Sequence, residues 1–542
     1  MTAAYSVPRT AAALDLYLDS NEGAQPQPDL LDGVDAMETL RRYPDARPLE
    51  AALAQRLGLS PHQVLVTAGG DDAIDRLCRV YLGPGKRLVL PTPGFEMVAR
   101  YARVTGATVV RVPWGRELFP VEAVLAVPAP DVIVVTSPNN PTGSVVSAAD
   151  LRRLSEGAPD AVLLVDLAYA EFAEVDLTEV AVSLPNTVVI RTLSKAWGLA
   201  GLRVGYAIGE PEPLQEMRAV GPPYAVSGLS LSLAMAALRR DTFMGAYVDG
   251  VRAEREDLFA LLEELGARPL PSEANFIFAE VDDPLWIRDA MGSLGIAIRA
   301  FPGRPDLASA IRVSCPGSDA DLSRVKAGLR CALSPQALLF DMDGVLVDVS
   351  GSYRVAIRQT AAAFGVRLTE GDISQAKRKG DANNDWVLTR QLMRSAGVDI
   401  PLDEVTCAFE ALYQGGLWER EEALVSREVL ADLARQLPLA VVTGRPRRDA
   451  ERFLQTSGFA DLFSVVVTLE DAPPKPHPAP VRLALEQLGV QRGWMVGDTV
   501  DDLVAARAAG IVSMGFGAEI RGAGRVLEAL DELRGLLCAS SS

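Results

Sequence analysis

Residues Thr192 to Tyr206 read TLSKAWGLAGLRVGY, and their polar side chains form a set. Lys195 carries an amine that can close a Schiff base with an aldehyde. Thr192 and Ser194 place hydroxyls just ahead of it, and Arg203 offers a planar fork that can hold a phosphate by two bonds. Ala196, Gly198, Ala200 and Gly201 are small enough to let backbone approach a flat ligand. A second set lies far along the chain. Asp341 and Asp343 share the loop FDMDG, Thr443 follows LAVV, Lys475 stands in PPKPHP, and Asp498 and Asp502 share GDTVDD. A calcium loop would need more oxygen ligands at regular spacing than VLV supplies. The other reading is a nucleophilic aspartate beside an acid/base aspartate.

Something must hold these groups in place. From Val64 onward, short β-branched runs alternate with helical stretches: VLVTAGG, DDAIDRLCRVYL, RLVLPTPG, FEMVARYARVTG, then DVIVVTS, AVLLVD and TVVIRT. That rhythm predicts a sheet built from βαβ units, with ligands outside the carboxyl ends of its strands. The chemistry-bearing residues fall at such ends. Gly70 and Asp71 in TAGGDD open a helix whose N–H groups could cradle a phosphate, although a glycine pair there also serves as plain turn chemistry. Phe95 in PTPGFEM could stack on a ring or join the core. Asn140 in SPNNPTG aims an amide at the same edge. Asp166 in VDLAY ends a buried run and needs a cationic partner, because a bare buried carboxylate is costly. Tyr169 follows within reach of the same ligand. Arg299 in IAIRA and Arg312 in IRVSCPG occupy strand-like positions.

After DLSRVKAGLRCAL and Ser334-Pro335 a new core begins, with ALLF, LAVV and WMVG as buried strands that end in Asp341, Thr443 and Asp498. Between the first two, YRVAIRQTAAAFG, DWVLTRQLMRSAG and EVTCAFEALYQGGL predict a helical insert. Its Arg354, Lys379 and Trp386 are candidates to touch a substrate.

Composition narrows the classes. The 542 residues are too many for one core. Lys plus Arg number 53 against 71 Asp plus Glu, a net charge of -18 without a basic run, which argues against nucleic acid. No basic leader precedes an apolar core and no apolar run approaches a membrane span, so a cytoplasmic protein is expected. Five scattered cysteines predict free thiols, and two histidines leave carboxylates and a hard cation as the expected metal chemistry.

SPNNPTG, VDLAY and TLSKAWGLAGLR, in that order, resemble the fold-type I aminotransferases that use pyridoxal phosphate, most closely the histidinol-phosphate aminotransferases. The resemblance covers about residues 1–333 and implies an arm (1–30), a large α/β domain (31–245) and a small α/β domain (246–333). It implies Lys195 as the Schiff-base lysine, Asp166 at the pyridine nitrogen, and Asn140 with Tyr169 at the ring hydroxyl. Phe95 would stack on the ring, while Gly70, Asp71, Thr192, Ser194 and Arg203 would hold the cofactor phosphate. Tyr43 in RYPD would reach a neighbouring subunit's cofactor, so a homodimer is expected. Arg312 would bind the carboxylate of glutamate or 2-oxoglutarate and Arg299 a substrate phosphate. SNEGAQP at 20–26 and Leu167 depart from the family pattern.

The second set is similar to the haloacid dehalogenase-like phosphatases over about 336–542, a Rossmann-like domain with a helical cap at about 350–435. The resemblance implies Asp341 as nucleophile, Asp343 as acid/base, and Thr443 and Lys475 on the phosphoryl oxygens. Mg2+ would be held by Asp341, Asp498 and residue 343, with Asp502 orienting the site. Together these point to a phosphorylated ketone aminated from glutamate and an amino-alcohol phosphate then hydrolysed. Imidazole acetol phosphate and histidinol phosphate are the leading pair. The alternatives are another phosphorylated amino compound of specialised metabolism, a decarboxylase of a phosphorylated amino acid, or a regulator with dead chemistry.

Overall fold

A computed structural model of the protein describes residues 7–26, 28–32, 34, 36–116, 118–379, 384–517, 520 and 522–540. Packing divides the chain into two compact units.

One unit comprises Leu18–Val281 and Phe301–Leu322. Its sheet has strands β1 (Val64–Thr67), β2 (Arg87–Thr92), β3 (Thr108–Pro113), β4 (Val132–Thr136), β5 (Val162–Asp166), β6 (Thr187–Thr192) and β7 (Gly205–Gly209), in the order β1-β7-β6-β5-β4-β2-β3. Strands buried on both faces must be apolar along their length, and VIVVT and GYAIG are buried at every residue. β7 alone runs against its neighbours, pairing antiparallel with β1 and β6. The carboxyl ends of the other six strands therefore share one edge. Helix α1 (Gly69–Tyr81) packs Ala73, Ile74, Leu77 and Cys78 on the sheet beside Leu65, Leu164 and Ile190. A smaller antiparallel ribbon of β8 (Arg268–Pro269), β9 (Phe276–Glu280) and β10 (Ala310–Ser314) carries Arg312 opposite Phe278.

The other unit comprises Met1–Tyr17, Asp282–Ala300 and Ser323–Ser542. Its parallel sheet has β11 (Leu338–Phe340), β12 (Leu439–Val442), β13 (Phe463–Val467), β14 (Trp494–Gly497), β15 (Val512–Phe516) and β16 (Arg525–Leu527), in the order β13-β12-β11-β14-β15-β16. Three stretches ahead of residue 334 pack with it. Helix α2 (Pro284–Ser293) lies on β15, with Trp286 edge-on to Trp494 at 4.7 Å between ring centres, and the Ser513 N–H donates to Ser293 Oγ at 3.2 Å. Strand Leu16–Tyr17 pairs with Ile296–Ala297, and Asp15 accepts from Arg507 at 2.6 Å and Arg324 at 2.8 Å. The expected helical insert is α3 (Tyr353–Ala363), α4 (Glu370–Lys379), α5 (Asp385–Ser395) and α6 (Leu402–Gln414), closed off by an antiparallel pairing of Val347–Asp348 with Glu422–Ala423. No helix among the described residues is long and apolar enough to cross a membrane.

Candidate active sites

In the first unit the edge of strand ends assembles most of the first set. Asp166 ends β5, Thr192 ends β6, Asn140 follows β4, and Gly70 and Asp71 open α1. Lys195, half-buried just past β6, donates to the Ser20 carbonyl at 3.2 Å and lies 5.6 Å from the Tyr169 ring centre. The Tyr169 hydroxyl accepts from Asn21 at 3.0 Å and from Asn140 at 3.5 Å. Asn140 in turn accepts from Arg312 at 2.6 Å, and Arg312 also donates to the Asp19 carbonyl at 2.9 Å. A polar chain thus runs from Tyr169 to the buried guanidinium of Arg312.

Asp166 is 6 % exposed and accepts from the Ala168 N–H at 3.1 Å. Burial pushes its carboxyl up to about 6, with Asp71 adding to the rise and Lys195 easing it. The residues expected to hold a phosphate also gather here. Thr192 Oγ1 donates to Ser194 Oγ at 2.9 Å, and Arg203 reaches Asp71 at 3.4 Å. Gly69 has φ 82°, and a Cβ there would stand 2.7 Å from the Arg203 guanidinium, so only glycine leaves this corner open. One oxygen of Asp71 is buried without a hydrogen-bond partner among the described residues. A buried acid lacking a cation and an open corner of hydroxyls, guanidinium and helix N-terminus fit a flat cation that carries a phosphate.

Phe95 is half-buried at the start of the helix Glu96–Val104 and packs on the sheet core. Tyr43 is 81 % exposed and stacks on Tyr224 at 4.6 Å. Arg299 is buried in the other unit, on the short strand Arg299–Ala300. Asn21 escaped the sequence reading. It donates to Tyr169, accepts from Ser314 at 2.8 Å and has φ 56°. An Asn ahead of Glu-Gly is a signal for such a left-handed residue. Its segment crosses the lysine loop so closely that a Cβ on Gly23 would overlap the Lys195 carbonyl.

In the second unit, Asp341, Thr443 and Asp498 follow the adjacent strands β11, β12 and β14. Carboxylate oxygens of Asp341, Asp498 and Asp502 lie within 4.8 Å of one another. Lys475 Nζ donates to Asp341 at 2.7 Å and to the Val442 carbonyl at 2.9 Å, and stands 2.5 Å from Asp502. Burial works to lower the lysine's pKa, yet Asp341 and Asp502 outweigh it and hold the amine charged. Burial pushes Asp341 well up, Lys475 pulls it back, and the neighbouring carboxylates push again. Three carboxylates against one ammonium leave a charge that a divalent cation would offset, so the set fits a hard metal ion. Thr443 is buried, and its hydroxyl accepts from the Arg445 N–H at 3.1 Å.

Asp343 stands outside the carboxylate trio. Its side chain accepts from Arg445 at 2.6 Å, and Arg445, with no exposed side-chain surface, also donates to Glu421 at 2.9 Å. Arg445 and Glu421 were missed because TGRP and EREEA look like solvated charge. Of the cap candidates, Trp386 lines a cavity with Asp343, Arg354 is tied to Ser374 at 3.1 Å and Glu370 at 3.6 Å, and the side chain of Lys379 lies outside the described residues.

With this geometry in view, the chain was compared with known proteins. The family model for aminotransferase class I and II matches residues 16–327, and that for haloacid dehalogenase-like hydrolase matches 335–510. Histidinol-phosphate aminotransferase 1, chloroplastic, from Arabidopsis thaliana is 36% identical over 309 residues, 55% of this chain and 73% of that protein. Imidazoleglycerol-phosphate dehydratase from Phytophthora nicotianae is 52% identical over 193 residues, 33% of this chain, which spans only 43% of that relative's length. Among solved structures, histidinol-phosphate aminotransferase from Sinorhizobium meliloti in complex with pyridoxal-5'-phosphate is similar at a TM-score of 0.54 and 26% identity, covering 58% of this chain and 90% of that one.

Proposed function

Because this chain belongs to the aminotransferase class I and II family and continues into a haloacid dehalogenase-like hydrolase, we propose that it aminates a phosphorylated ketone from glutamate and then removes the phosphate. The leading substrate is imidazole acetol phosphate, aminated to histidinol phosphate and hydrolysed to histidinol. One observation carries the reading: a single chain holds both assembled sets, Lys195 with Asp166, Asn140, Tyr169 and Arg312, and Asp341 with Lys475, Asp498 and Asp502.

In the first site, pyridoxal phosphate when bound supplies an electron sink for the carbon that loses its proton. Asp166 would hold a positive ring nitrogen, Tyr169 and Asn140 would receive the ring hydroxyl, and Gly70, Asp71, Thr192, Ser194 and Arg203 would hold the phosphate. The Lys195 amine would take up and return the proton that the substrate carbon loses. Arg312 exchanges Asn140 for the amino acid's carboxylate, which Asn140 is placed to release. In the second site Mg2+ would supply charge to bring two anions together. Asp341 attacks phosphorus and Asp343 protonates the departing alcohol. Asp343 then takes a proton from the water that frees inorganic phosphate from Asp341. Thr443 and Lys475 steady the phosphoryl group.

A second copy of the chain would cover exposed Tyr43, Leu31, Met37 and Leu40, so a homodimer is part of the proposal, and light scattering tests it. Buried free thiols at Cys78, Cys315 and Cys331 suit a reducing compartment, taken here as the cytoplasm. The central test is a coupled assay with imidazole acetol phosphate, glutamate, pyridoxal phosphate and Mg2+, following 2-oxoglutarate and phosphate together. Both should rise, and Asp341→Asn should stop at the amino phosphate. If glutamate converts the bound cofactor but neither product accumulates, the carbonyl substrate is a different one.

A further inference from the structure

The segment that crosses the Lys195 site has little structure of its own. Residues 7–15 form neither helix nor strand, and Leu16–Tyr17 is a short strand. Yet Asp19, Ser20 and Asn21 all meet that site. The Asp19 carbonyl accepts from Arg312 at 2.9 Å, the Ser20 carbonyl accepts from Lys195 at 3.2 Å, and the Asn21 amide donates to Tyr169 at 3.0 Å. A carbonyl aims where its backbone aims it, so the segment must be fixed on both sides. On the far side, Ser314 donates to the Asn21 side chain at 2.8 Å and Asn275 to the Asn21 carbonyl at 3.4 Å.

The near side is held within the unit that carries the hydrolase set. The Asp15 and Leu16 N–H groups donate to the Gly295 carbonyl at 2.9 and 3.1 Å. Arg507 donates to the Ala13 carbonyl and to the Asp15 carboxylate, each at 2.6 Å, and Arg324 grips Asp15 by two bonds of 2.8 Å. Arg324, with Arg507 adding, holds the Asp15 carboxyl below its ordinary value. Gly295 has φ 84°, and a Cβ there would overlap both Arg507 and Asp15, so the glycine leaves this bridge its room.

Arg507 stands in the last turn of helix α7 (Val500–Ala509), whose first turn carries Asp502. Thr499 donates to Asp502 at 2.6 Å where the helix starts, and α7 packs on β14 and β15. A side chain on such an element is a firmer anchor than one on a loop. Leu16, Tyr17 and Leu18 alone separate Asp15 from Asp19. A short segment fixed at both ends keeps few conformations and regains them when one end is released.

We propose that Arg507 is a positioning residue for the amination site: through Ala13 and Asp15 it fixes the backbone that presents the Asp19 and Ser20 carbonyls and Asn21. The hydrolase unit is then an architectural part of the aminotransferase as well as a second enzyme. The inference rests on reading the Lys195 site as the place of amination.

Two measurements on the full chain test it. One follows the absorbance of bound pyridoxal phosphate as glutamate converts it, and the other follows hydrogen exchange over residues 13–21 in the chain without cofactor. Arg507→Ala should raise the glutamate concentration for half-maximal conversion about 2- to 5-fold, the reach of a partly exposed ion pair, and should speed that exchange. Arg507→Lys keeps the charge without the fork and should recover part of both. Asp15→Ala breaks the Arg324 bonds as well and should exceed Arg507→Ala in both, and the double variant should fall short of the product of the single effects. An unchanged circular dichroism spectrum shows that a variant is folded; should Arg507→Ala alter it, Asp15→Ala decides alone. Faster exchange with an unchanged response to glutamate, or a weaker response with unchanged exchange, overturns the inference and leaves the amination reading standing. If glutamate fails to convert the cofactor in the unaltered chain, both fall.

Discussion

Two lysines in this chain are placed for opposite purposes. Lys475 has 1 % of its side chain exposed, and its ammonium is met by Asp341, Asp502 and the Val442 carbonyl. Lys195 is half-buried, donates to the Ser20 carbonyl and rests against a ring. The first is spent on its surroundings, since it keeps a crowd of buried carboxylates from repelling one another. The second is available. The same division separates the acids: Asp341 has its counter-ion in the protein, whereas Asp166 has a backbone N–H and a distant amine. On the proposed reading, one site is neutralised in advance except for the charge a metal would bring, and the other would take its cation from the cofactor.

The largest effect should come from removing the spent lysine. Lys475→Met leaves three carboxylates buried together, and breaking a buried pair costs about 3–5 kcal/mol. Denaturation of the full chain should show that loss, phosphate release should vanish, and conversion of glutamate should persist. Lys195→Met should cost less than about 1 kcal/mol, the worth of one ordinary hydrogen bond, while amination is lost. Equal destabilisation by the two substitutions would remove the distinction between them.

Asp166 sharpens the same contrast through pH. Its carboxyl is raised by burial from 3.8 to about 6 in the folded chain without cofactor. Below pH 3.8 both folded and unfolded chains hold the proton and the site costs nothing. Between 3.8 and about 6 the unfolded chain releases it first, so stability falls as pH rises. Above that window the full penalty is present, roughly 3 kcal/mol at about 1.36 kcal/mol per unit. Asp166→Asn should therefore be more stable than the unaltered cofactor-free chain at pH 8 and no more stable near pH 4. Adding pyridoxal phosphate should narrow the gap at pH 8. A gap that does not change with pH would mean that Asp166 already has a partner.

Arg312 lies between the extremes. It is bonded to Asn140 and the Asp19 carbonyl, yet the Asn140 amide is a neutral partner that a carboxylate can displace. Arg312→Ala should weaken glutamate binding by about 1.5–3 kcal/mol, roughly 10- to 150-fold in the Michaelis constant. An unchanged constant would refute the assignment.

What the sequence showed and what it hid follow from range. A β-branched run that stops at a polar residue is a local signal, so the strands ending in Asp166, Thr192, Asp341 and Asp498 were readable, and with them the edge where each set gathers. β7 was not, because GYAIG has glycine at both ends and no alternation. Non-local pairings left no mark either. Nothing in SNEGA indicates that Asn21 meets Tyr169, and nothing in DDPLWIRDAM indicates that Trp286 meets Trp494. Arg445 and Glu421 were hidden for a different reason: charges spent on each other inside a protein look, in sequence, like charges in water.

The smallest effect tests that last point on the cap. Arg354 is long, cationic and on the insert, so by sequence alone it stands level with Trp386 as a substrate contact. In the structure its guanidinium is already used by Ser374 and Glu370, and 27 % of the side chain is exposed, which places the pair in partly screened surroundings. Arg354→Ala should cost at most about 1 kcal/mol and leave phosphate release unchanged. If Arg354→Ala instead alters phosphate release, its bonds to Ser374 and Glu370 must open when substrate binds. It would then join Lys195 and Asp166 among the available charges, and a snapshot of partners would be a poor guide to which charges in this cap are free to act.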